Sequence, residues 1–156
     1  MTTQNSLKIN FNFNTNTFIK PIPVKYCKSI NLANKLRILC VDDDLAYRRY
    51  LTYLLGKRYC IVFVSSGNEC VDVTKNEIFD LVFVDSALPD MASDAVCEIL
   101  RDDPFYQDTP IIILSHQYSL NEVKRLDSCG ADDYFSKMSS PNELSALLDI
   151  ALEMAA

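Results

Sequence analysis

Five short apolar runs recur between positions 36 and 136, and each is followed by a segment with helical spacing. The runs occupy residues 36–41, 60–64, 81–84, 111–114 and 133–136. Most of them are unbroken rows of aliphatic, β-branched and aromatic residues, which is typical of strands buried on both faces of a parallel sheet. The pattern therefore predicts five parallel strands.

The segments that follow the runs carry the start and stop signals of helices. We predict helices over residues 45–57, 66–76, 93–101, 119–129 and 140–154. Asp44 is placed to cap the first helix, and three later helices begin with a Ser-x-x-Glu capping box. Four leucines supply most of the apolar stripe of the first helix: Leu45, Leu51, Leu54 and Leu55. Five strands alternating with five helices predict an α/β fold, a doubly wound five-stranded parallel sheet.

Residues 1–34 have a different composition, rich in Asn and Thr and without acidic residues. The alternation LKINFNFNTNTF over residues 7–18 is compatible with an amphipathic strand at a sheet edge, and equally with a leader prone to self-association. Pro21 and Pro23 interrupt any regular element. We favour a flexible extension over residues 1–34, followed by one domain over residues 35–156.

Charge and composition argue against several classes of function. The 156-residue chain has a net charge of −6, but all 21 acidic residues follow position 41 against nine of the 15 basic residues, so that this part carries −12. An acidic globule does not fit nucleic-acid binding. The apolar runs are too short for a membrane span. The six cysteines lack the spacing of a zinc site, and no secretory signal is present, so a cytoplasmic location is expected.

Side chains suited to chemistry stand where four of the predicted strands end. They are Asp42 and Asp43 after the first strand, Asp85 after the third, Ser115 after the fourth and Lys137 after the fifth. Right-handed crossovers bring the carboxyl ends of parallel strands to one edge, where open α/β sheets place their ligands. We therefore expect these five residues to form one site.

Three carboxylates brought together repel one another unless a cation joins them. Oxygen ligands suit Mg²⁺, which binds through one or two carboxylates and keeps several waters. Together with a lysine and a hydroxyl, such a site has the parts needed for phosphoryl transfer, with Asp85 as the covalent acceptor. The simpler alternatives are that Asp85 begins a turn and that Asp42, Asp43 and Asp44 form a solvated helix N-terminus.

The stretch from Leu36 to Ala155 resembles the receiver domain of two-component response regulators, of the stand-alone type. The resemblance is carried by ILCVDDD, LVFVDSALPD, PIIILSH and GADDYFSK, in that order. It implies the flavodoxin-like fold of that family. It also implies that Asp85 is the phosphoacceptor and that Asp43 is a direct Mg²⁺ ligand. Asp42 would hold the waters of the metal, and the backbone carbonyl of Ala87 would complete the protein's share of its shell.

The resemblance also implies a switch and its partners. Ser115 matches the hydroxyl residue that bonds the phosphoryl group, Lys137 the lysine that pairs with its charge, and Tyr134 the aromatic residue that turns inward. The donor would be a histidine kinase or a histidine phosphotransfer protein. Output would pass to an unidentified protein through the surface of the fourth helix, fifth strand and fifth helix. A homodimer through the fourth-helix face is an expectation by analogy alone.

Several positions depart from the family pattern. Met138 follows Lys137 where the family usually has proline, and Ser93 stands where a glycine is common. His116 occupies a place that usually holds a small residue, and Ala87 offers no polar side chain to an attacking water. We expect Ala87, His116, Gln117 and Met138 to modulate phosphorylation and its lifetime.

Two other functions fit parts of the pattern. A pseudo-receiver would have lost phosphoryl traffic through the changes at His116 and Met138 and would act as a docking module. A Mg²⁺-dependent phosphatase would use Asp85 as nucleophile, but it usually needs a second acid where Ala87 stands. The expectation is a regulatory phosphoacceptor domain that is not an enzyme acting on other substrates.

Overall fold

A computed structural model of the chain describes residues 35–117 and 128–154. Its strands are β1 Arg37–Val41, β2 Cys60–Val64, β3 Leu81–Asp85, β4 Ile111–Ser115 and β5 Asp133–Ser136. Its helices are α1 Leu45–Leu55, α2 Gly67–Thr74, α3 Ser93–Asp102 and α4 Pro141–Met154. The helix predicted over residues 119–129 lies outside the described residues except for residues 128 and 129, which are helical. The predicted extension over residues 1–34 also lies outside them.

The five strands form one parallel sheet in the order β2-β1-β3-β4-β5. The prediction of a five-stranded, doubly wound parallel sheet is therefore confirmed. Parallel strands all point the same way, so their carboxyl ends lie at one edge of the sheet. The order reverses between β1 and β3, and crevices that bind ligands form where strand order reverses.

Alternate side chains of β3 pack into two different layers of the core. Val82 and Val84 face a cluster that includes Cys70 of α2 and Val96 and Leu100 of α3. Leu81 and Phe83 face a second cluster, closed by α1 and α4 through Leu51, Leu55, Leu144 and Leu148. Each of these side chains is at most 2% exposed, and burying a residue of this size stabilises the fold by about 1.5–3 kcal/mol. The two packed layers hold the strand ends in fixed positions.

Helix α1 begins after Asp44, as predicted, but its buried stripe differs from the prediction. Asp44 Oδ1 accepts hydrogen bonds from the backbone N–H groups of Ala46 (2.8 Å) and Tyr47 (3.3 Å). The buried residues of the helix are Tyr47, Leu51 and Leu55, whereas Leu45 is 65% exposed. Leu45 lies about 200° around the helix from Tyr47 and so faces solvent. The aromatic ring of Tyr47 takes the place that the leucine pattern assigned to Leu45.

The described residues contain no helix that is both long enough and apolar enough to cross a membrane. Four of the five described cysteines are buried (Cys40, Cys70, Cys97 and Cys129), whereas Cys60 is exposed at the start of the edge strand β2. The four buried cysteines pack as small apolar residues in the two core clusters.

Candidate functional site

The carboxyl ends of the strands bring Asp42, Asp43, Asp85, Ser115 and Lys137 together at one edge of the sheet. Backbone hydrogen bonds continue past the strand ends: Asp42 N–H donates to the carbonyl of Val64 (3.0 Å), and Lys137 N–H donates to that of Ser115 (2.7 Å). Asp42, Asp85, Ser115 and Lys137 are all at most 7% exposed, and Asp43 is exposed. The backbone therefore fixes the positions from which these side chains project.

Lys137 is the buried cation of the site. Its Nζ lies 2.7 Å from Asp42 Oδ2 and 2.7 Å from Asp85 Oδ2, and it lies 4.8 Å from the centre of the Tyr47 ring. Burial acts to lower the pKa of Lys137, but the hydrogen bonds and charges of the two carboxylates outweigh it and raise the pKa. The ammonium group is thus held charged between two carboxylates and an aromatic face.

The remaining carboxylate oxygens of the buried pair bind backbone N–H groups. Asp42 Oδ1 accepts from Asp44 N–H (2.8 Å), and Asp85 Oδ1 accepts from Ala87 N–H (3.1 Å). Burial raises the pKa of Asp42, and the hydrogen bond from Lys137 opposes that rise. Each carboxylate is oriented from both sides, by the lysine and by a loop amide.

An open pocket of about 440 Å³ lies above these strand ends. Residues of all the predicted site segments line it: Asp43, Asp44, Asp85, Ser86, Ala87, Ser115, His116, Gln117 and Lys137. Asp42 is fully buried and does not line the pocket. Asp43 and Asp85 are therefore the carboxylates that a ligand in the pocket would meet first.

The three carboxylates suit a divalent metal ion. One oxygen from each of Asp42, Asp43 and Asp85 lies within 4.8 Å of the other two. Three negative charges face the single positive charge of Lys137, which leaves the cluster two charges short of neutrality. A divalent cation supplies that charge, and a donor set made only of oxygen atoms is the set that Mg²⁺ prefers. The residues present therefore fit a magnesium ion.

Ser115 and its two successors form one wall of the pocket. Ser115 Oγ accepts a hydrogen bond from the backbone N–H of Gln117 (3.1 Å), which curls the chain back toward the strand end. The side chain of His116 is 57% exposed, and its Nε2 lies 4.0 Å from Asp44 Oδ2. The imidazole ring therefore stands at the mouth of the pocket, on the side of α1.

Two residues that the sequence assigned to this region lie outside the pocket. Tyr134 of β5 is half-buried and packs against the cluster that contains Val82 and Val84. Met138 is 77% exposed, and the peptide bond that joins it to Lys137 is trans, like every other bond of the described residues. Neither residue is among those that line the pocket.

Sequence reasoning missed two residues that support the site, Tyr47 and Asp90. Tyr47 was not predicted to be buried, because the apolar stripe of α1 was assigned from its leucines alone. The Asp90 carboxylate, in the loop after β3, accepts hydrogen bonds from the N–H groups of Gly67 (2.8 Å) and Asn68 (2.9 Å) at the start of α2. These bonds lower the pKa of Asp90. No spacing rule indicates a partner 22 residues earlier in the chain.

Asp90 ties the loop that carries Ala87 to the N-terminus of α2, and Met91 packs against Gly67 in the same contact. We expect Asp90→Ala to weaken Mg²⁺ binding severalfold, because the released loop no longer presents the Ala87 carbonyl at a fixed place. Calorimetric Mg²⁺ titration measures the change, and Asp90→Asn, which keeps an acceptor oxygen, should lose less. Wild-type affinity in Asp90→Ala would show that the loop is held without this tie.

Comparison with known proteins gives the same picture for most of the chain. The family model described as the response regulator receiver domain matches residues 38–149. The DNA-binding response regulator MtrA of Mycolicibacterium paratuberculosis is 34% identical over 111 residues, which are 70% of this chain and 48% of that protein. The hybrid signal transduction histidine kinase D of Dictyostelium discoideum is 32% identical over 121 residues, which are 78% of this chain and 8% of that protein.

A solved structure gives the same fold. The receiver domain of a sensor histidine kinase from Pseudomonas aeruginosa, determined with a magnesium ion in its active-site cleft, superposes with a TM-score of 0.70 at 21% identity. The superposition covers 76% of this chain and 98% of that domain. The matched region thus makes up about half of the length of MtrA and less than a tenth of the length of the histidine kinase.

Proposed function

Because the chain belongs to the response regulator receiver domain family, we propose that it is a phosphorylation switch with Asp85 as its phosphoacceptor. Receiver domains act in phosphorelay signalling and take their phosphoryl group from a histidine kinase or a phosphotransfer protein. The observation that carries the proposal is the position of Asp85. Its side chain lines the pocket at the carboxyl ends of the strands and lies 2.7 Å from the buried ammonium of Lys137.

The proposed reaction moves one phosphoryl group and needs no other reactant. An oxygen of Asp85 forms a bond to phosphorus, and the bond from phosphorus to the imidazole nitrogen of the donor breaks, with its electron pair staying on that nitrogen. The hydrogen bonds from Ala87 N–H and Lys137 Nζ orient the carboxylate, so that one defined oxygen faces the donor. Lys137 then places positive charge beside the phosphoryl oxygens.

Asp43, Asp85 and the carbonyl of Ala87 would hold a magnesium ion in the pocket, and Asp42 would hold its waters. When bound, Mg²⁺ would neutralise charge that develops on the transferring phosphoryl oxygens. Asp42 also has a role that needs no metal, because its carboxylate keeps Lys137 charged and in place. The two buried carboxylates thus set the position of the lysine that the phosphoryl group meets.

Ser115 and Tyr134 would carry the switch away from the pocket. The Ser115 hydroxyl accepts a hydrogen bond from Gln117 N–H, and donating a hydrogen bond to the phosphoryl group would draw the loop after β4 toward Asp85. Tyr134 would then move inward from its half-buried position. A partner that binds one of the two arrangements better reads the change as a shift in populations.

The chain is proposed to act in the cytoplasm as a receiver domain over residues 35–156, preceded by the extension over residues 1–34. A histidine kinase or phosphotransfer protein would be its donor. The output partner is then a protein that recognises the surface around β5 and α4. Neither a nucleic acid nor a membrane is expected as a partner.

Intact-mass spectrometry after incubation with Mg²⁺ and acetyl phosphate tests the proposal. We expect wild type to gain one phosphoryl group and Asp85→Asn to gain none. Asp108→Asn, which removes an exposed acid far from the pocket, serves as the matched control and should be labelled like wild type. Omitting Mg²⁺ or adding EDTA should abolish the labelling.

Absence of labelling in folded wild-type protein would contradict the proposal. It would favour the pseudo-receiver, a docking module that works without phosphorylation. The observation that supports this alternative is the position of His116 at the mouth of the pocket. His116→Ala and Met138→Pro would then be the substitutions that test whether labelling can be restored.

A further inference from the structure

A second pocket, of about 430 Å³, lies at the opposite edge of the sheet, where the strands begin. The loop before β4, the first residues of β4 and β5, and the C-terminal half of α4 form its walls. The residues that matter for its chemistry are Asp108, Asp132, Asp133, Ile112, Leu147 and Ile150. We call this pocket the acidic groove.

The acidic groove combines an apolar wall with an acidic rim. Ile150 is 60% exposed and lies beside the half-buried Leu147, so both side chains offer apolar surface to a segment that enters the groove. Asp108 and Asp133 are exposed at the rim, whereas Asp132 is paired with Arg101 (2.6 Å). No lysine, arginine or histidine is among the described residues that line the groove.

The charge of α4 reinforces that of the rim. The helix carries Glu143, Asp149 and Glu153 and no basic residue. Only Asp149 among these is paired with a basic side chain in the described part of the chain, and its partner is Arg58. The surface therefore suits a segment that is basic and apolar together.

Residues 18–30 of the same chain, FIKPIPVKYCKSI, have this composition. They contain Lys20, Lys25 and Lys28 among aliphatic and aromatic residues, and residues 1–34 contain no acid at all. The rest of the chain carries the whole of its negative charge. Opposite charge between two parts of one chain favours their association, most strongly at low ionic strength.

The chain before β1 is long enough for this segment to reach the groove. Strand β1 begins at Arg37 on the same edge of the sheet, and β4 is its second neighbour in the strand order. At about 4.8 Å per strand, the groove between β4 and β5 is about 10–14 Å from the start of β1. Lys28 lies seven residues before Lys35, and seven extended residues span up to about 23–25 Å.

We propose that residues 18–30 dock in the acidic groove of their own chain. Lys20, Lys25 and Lys28 meet the rim formed by Asp108 and Asp133, and the apolar side chains between them cover Leu147 and Ile150. The docked segment occupies part of the surface of β5 and α4, so a protein that binds there has to displace it. This contact does not depend on phosphorylation of Asp85.

Paramagnetic relaxation enhancement in the full chain tests the proposal. A nitroxide on Cys27, in a Cys60→Ser background, places the label beside Lys28, since the other four cysteines are buried. We expect the amide signals of Ile150 and Ala151 to lose most of their intensity, while those of Val64 and Ser66 at the opposite edge keep theirs. Raising the salt concentration should restore the lost signals.

Two double variants and one mixed sample decide which segment occupies the groove. Asp108→Lys with Asp133→Lys should remove the effect, whereas the same charge change on α2 and α3, Asp72→Lys with Glu98→Lys, should leave it. A mixture of two preparations detects contacts between chains: one preparation carries the nitroxide but no ¹⁵N, and the other carries ¹⁵N but no nitroxide. Signal loss at Ile150 in that mixture would replace this proposal by contact with a second copy, and no loss in the sample whose chains carry both labels would overturn it.

Discussion

Replacing Lys137 with methionine should lower the free energy of unfolding by about 3–5 kcal/mol in Mg²⁺-free buffer. The ammonium group is the only described cation within ion-pair distance of Asp42 and Asp85, and its side chain is 1% exposed. Its removal leaves two adjacent carboxylates buried without a partner charge, and the cation–π contact with Tyr47 is lost as well. Urea denaturation followed by circular dichroism measures the loss.

The control for this variant is Lys75→Met, which breaks an exposed pair with Asp72 (2.9 Å) on α2. Exposed pairs contribute about 0–1 kcal/mol, so this control should unfold almost like wild type. Adding Mg²⁺ should stabilise Lys137→Met more than wild type, because the carboxylates regain a cation. Equal stability of Lys137→Met and wild type without Mg²⁺ would show that the carboxylates do not need the lysine.

The apolar runs predicted the strands because burial on both faces leaves little choice of residue. In β3, each of Leu81, Val82, Phe83 and Val84 is buried, so the run has no polar interruption. Helix ends were harder to predict: α1 ends at Leu55 and not near Lys57, because the next residues form a turn in which Arg58 N–H and Tyr59 N–H both donate to the carbonyl of Leu55. Hydrogen bonds of this kind depend on local backbone geometry, which composition does not specify.

The residues of the site were predictable because strand topology alone brings them together. Asp42, Asp85, Ser115 and Lys137 each stand at or directly after a strand end, and one sheet edge collects them all. The resemblance to receiver domains, since confirmed at the level of the family, supplied the roles. The supports of the site were not predictable, because Tyr47 and Asp90 reach it through contacts between distant elements.

The residues that depart from the family pattern lie around the pocket and not among the buried charged residues below it. His116 stands at the mouth of the pocket, Met138 is exposed beyond it, and Ser93 is buried at the start of α3. In the described part of the chain, no ion pair or hydrogen bond joins Asp42, Asp85 or Lys137 to the side chain of any of these three residues. Their effects should therefore fall on access and rate more than on assembly of the site.

Replacing Ala87 with asparagine should shorten the lifetime of the phosphorylated protein by about tenfold or more, equivalent to at least about 1.4 kcal/mol in the barrier. Ala87 lines the pocket and its N–H donates to Asp85 Oδ1 (3.1 Å), so a longer side chain at this position points to the region where water would attack the phosphoryl group. An amide there can hold that water in line, which a methyl group cannot.

Ala87→Leu is the matched control, since leucine has nearly the shape of asparagine but forms no hydrogen bond. Both variants and wild type are labelled with acetyl phosphate and Mg²⁺ and rapidly desalted, and the loss of the phosphoryl mass is followed with time. Faster loss in Ala87→Asn alone would show that a polar side chain at position 87 steers the attacking water. The same rate change in both variants would mean that bulk at position 87 acts by opening the pocket, and that water is not steered from there.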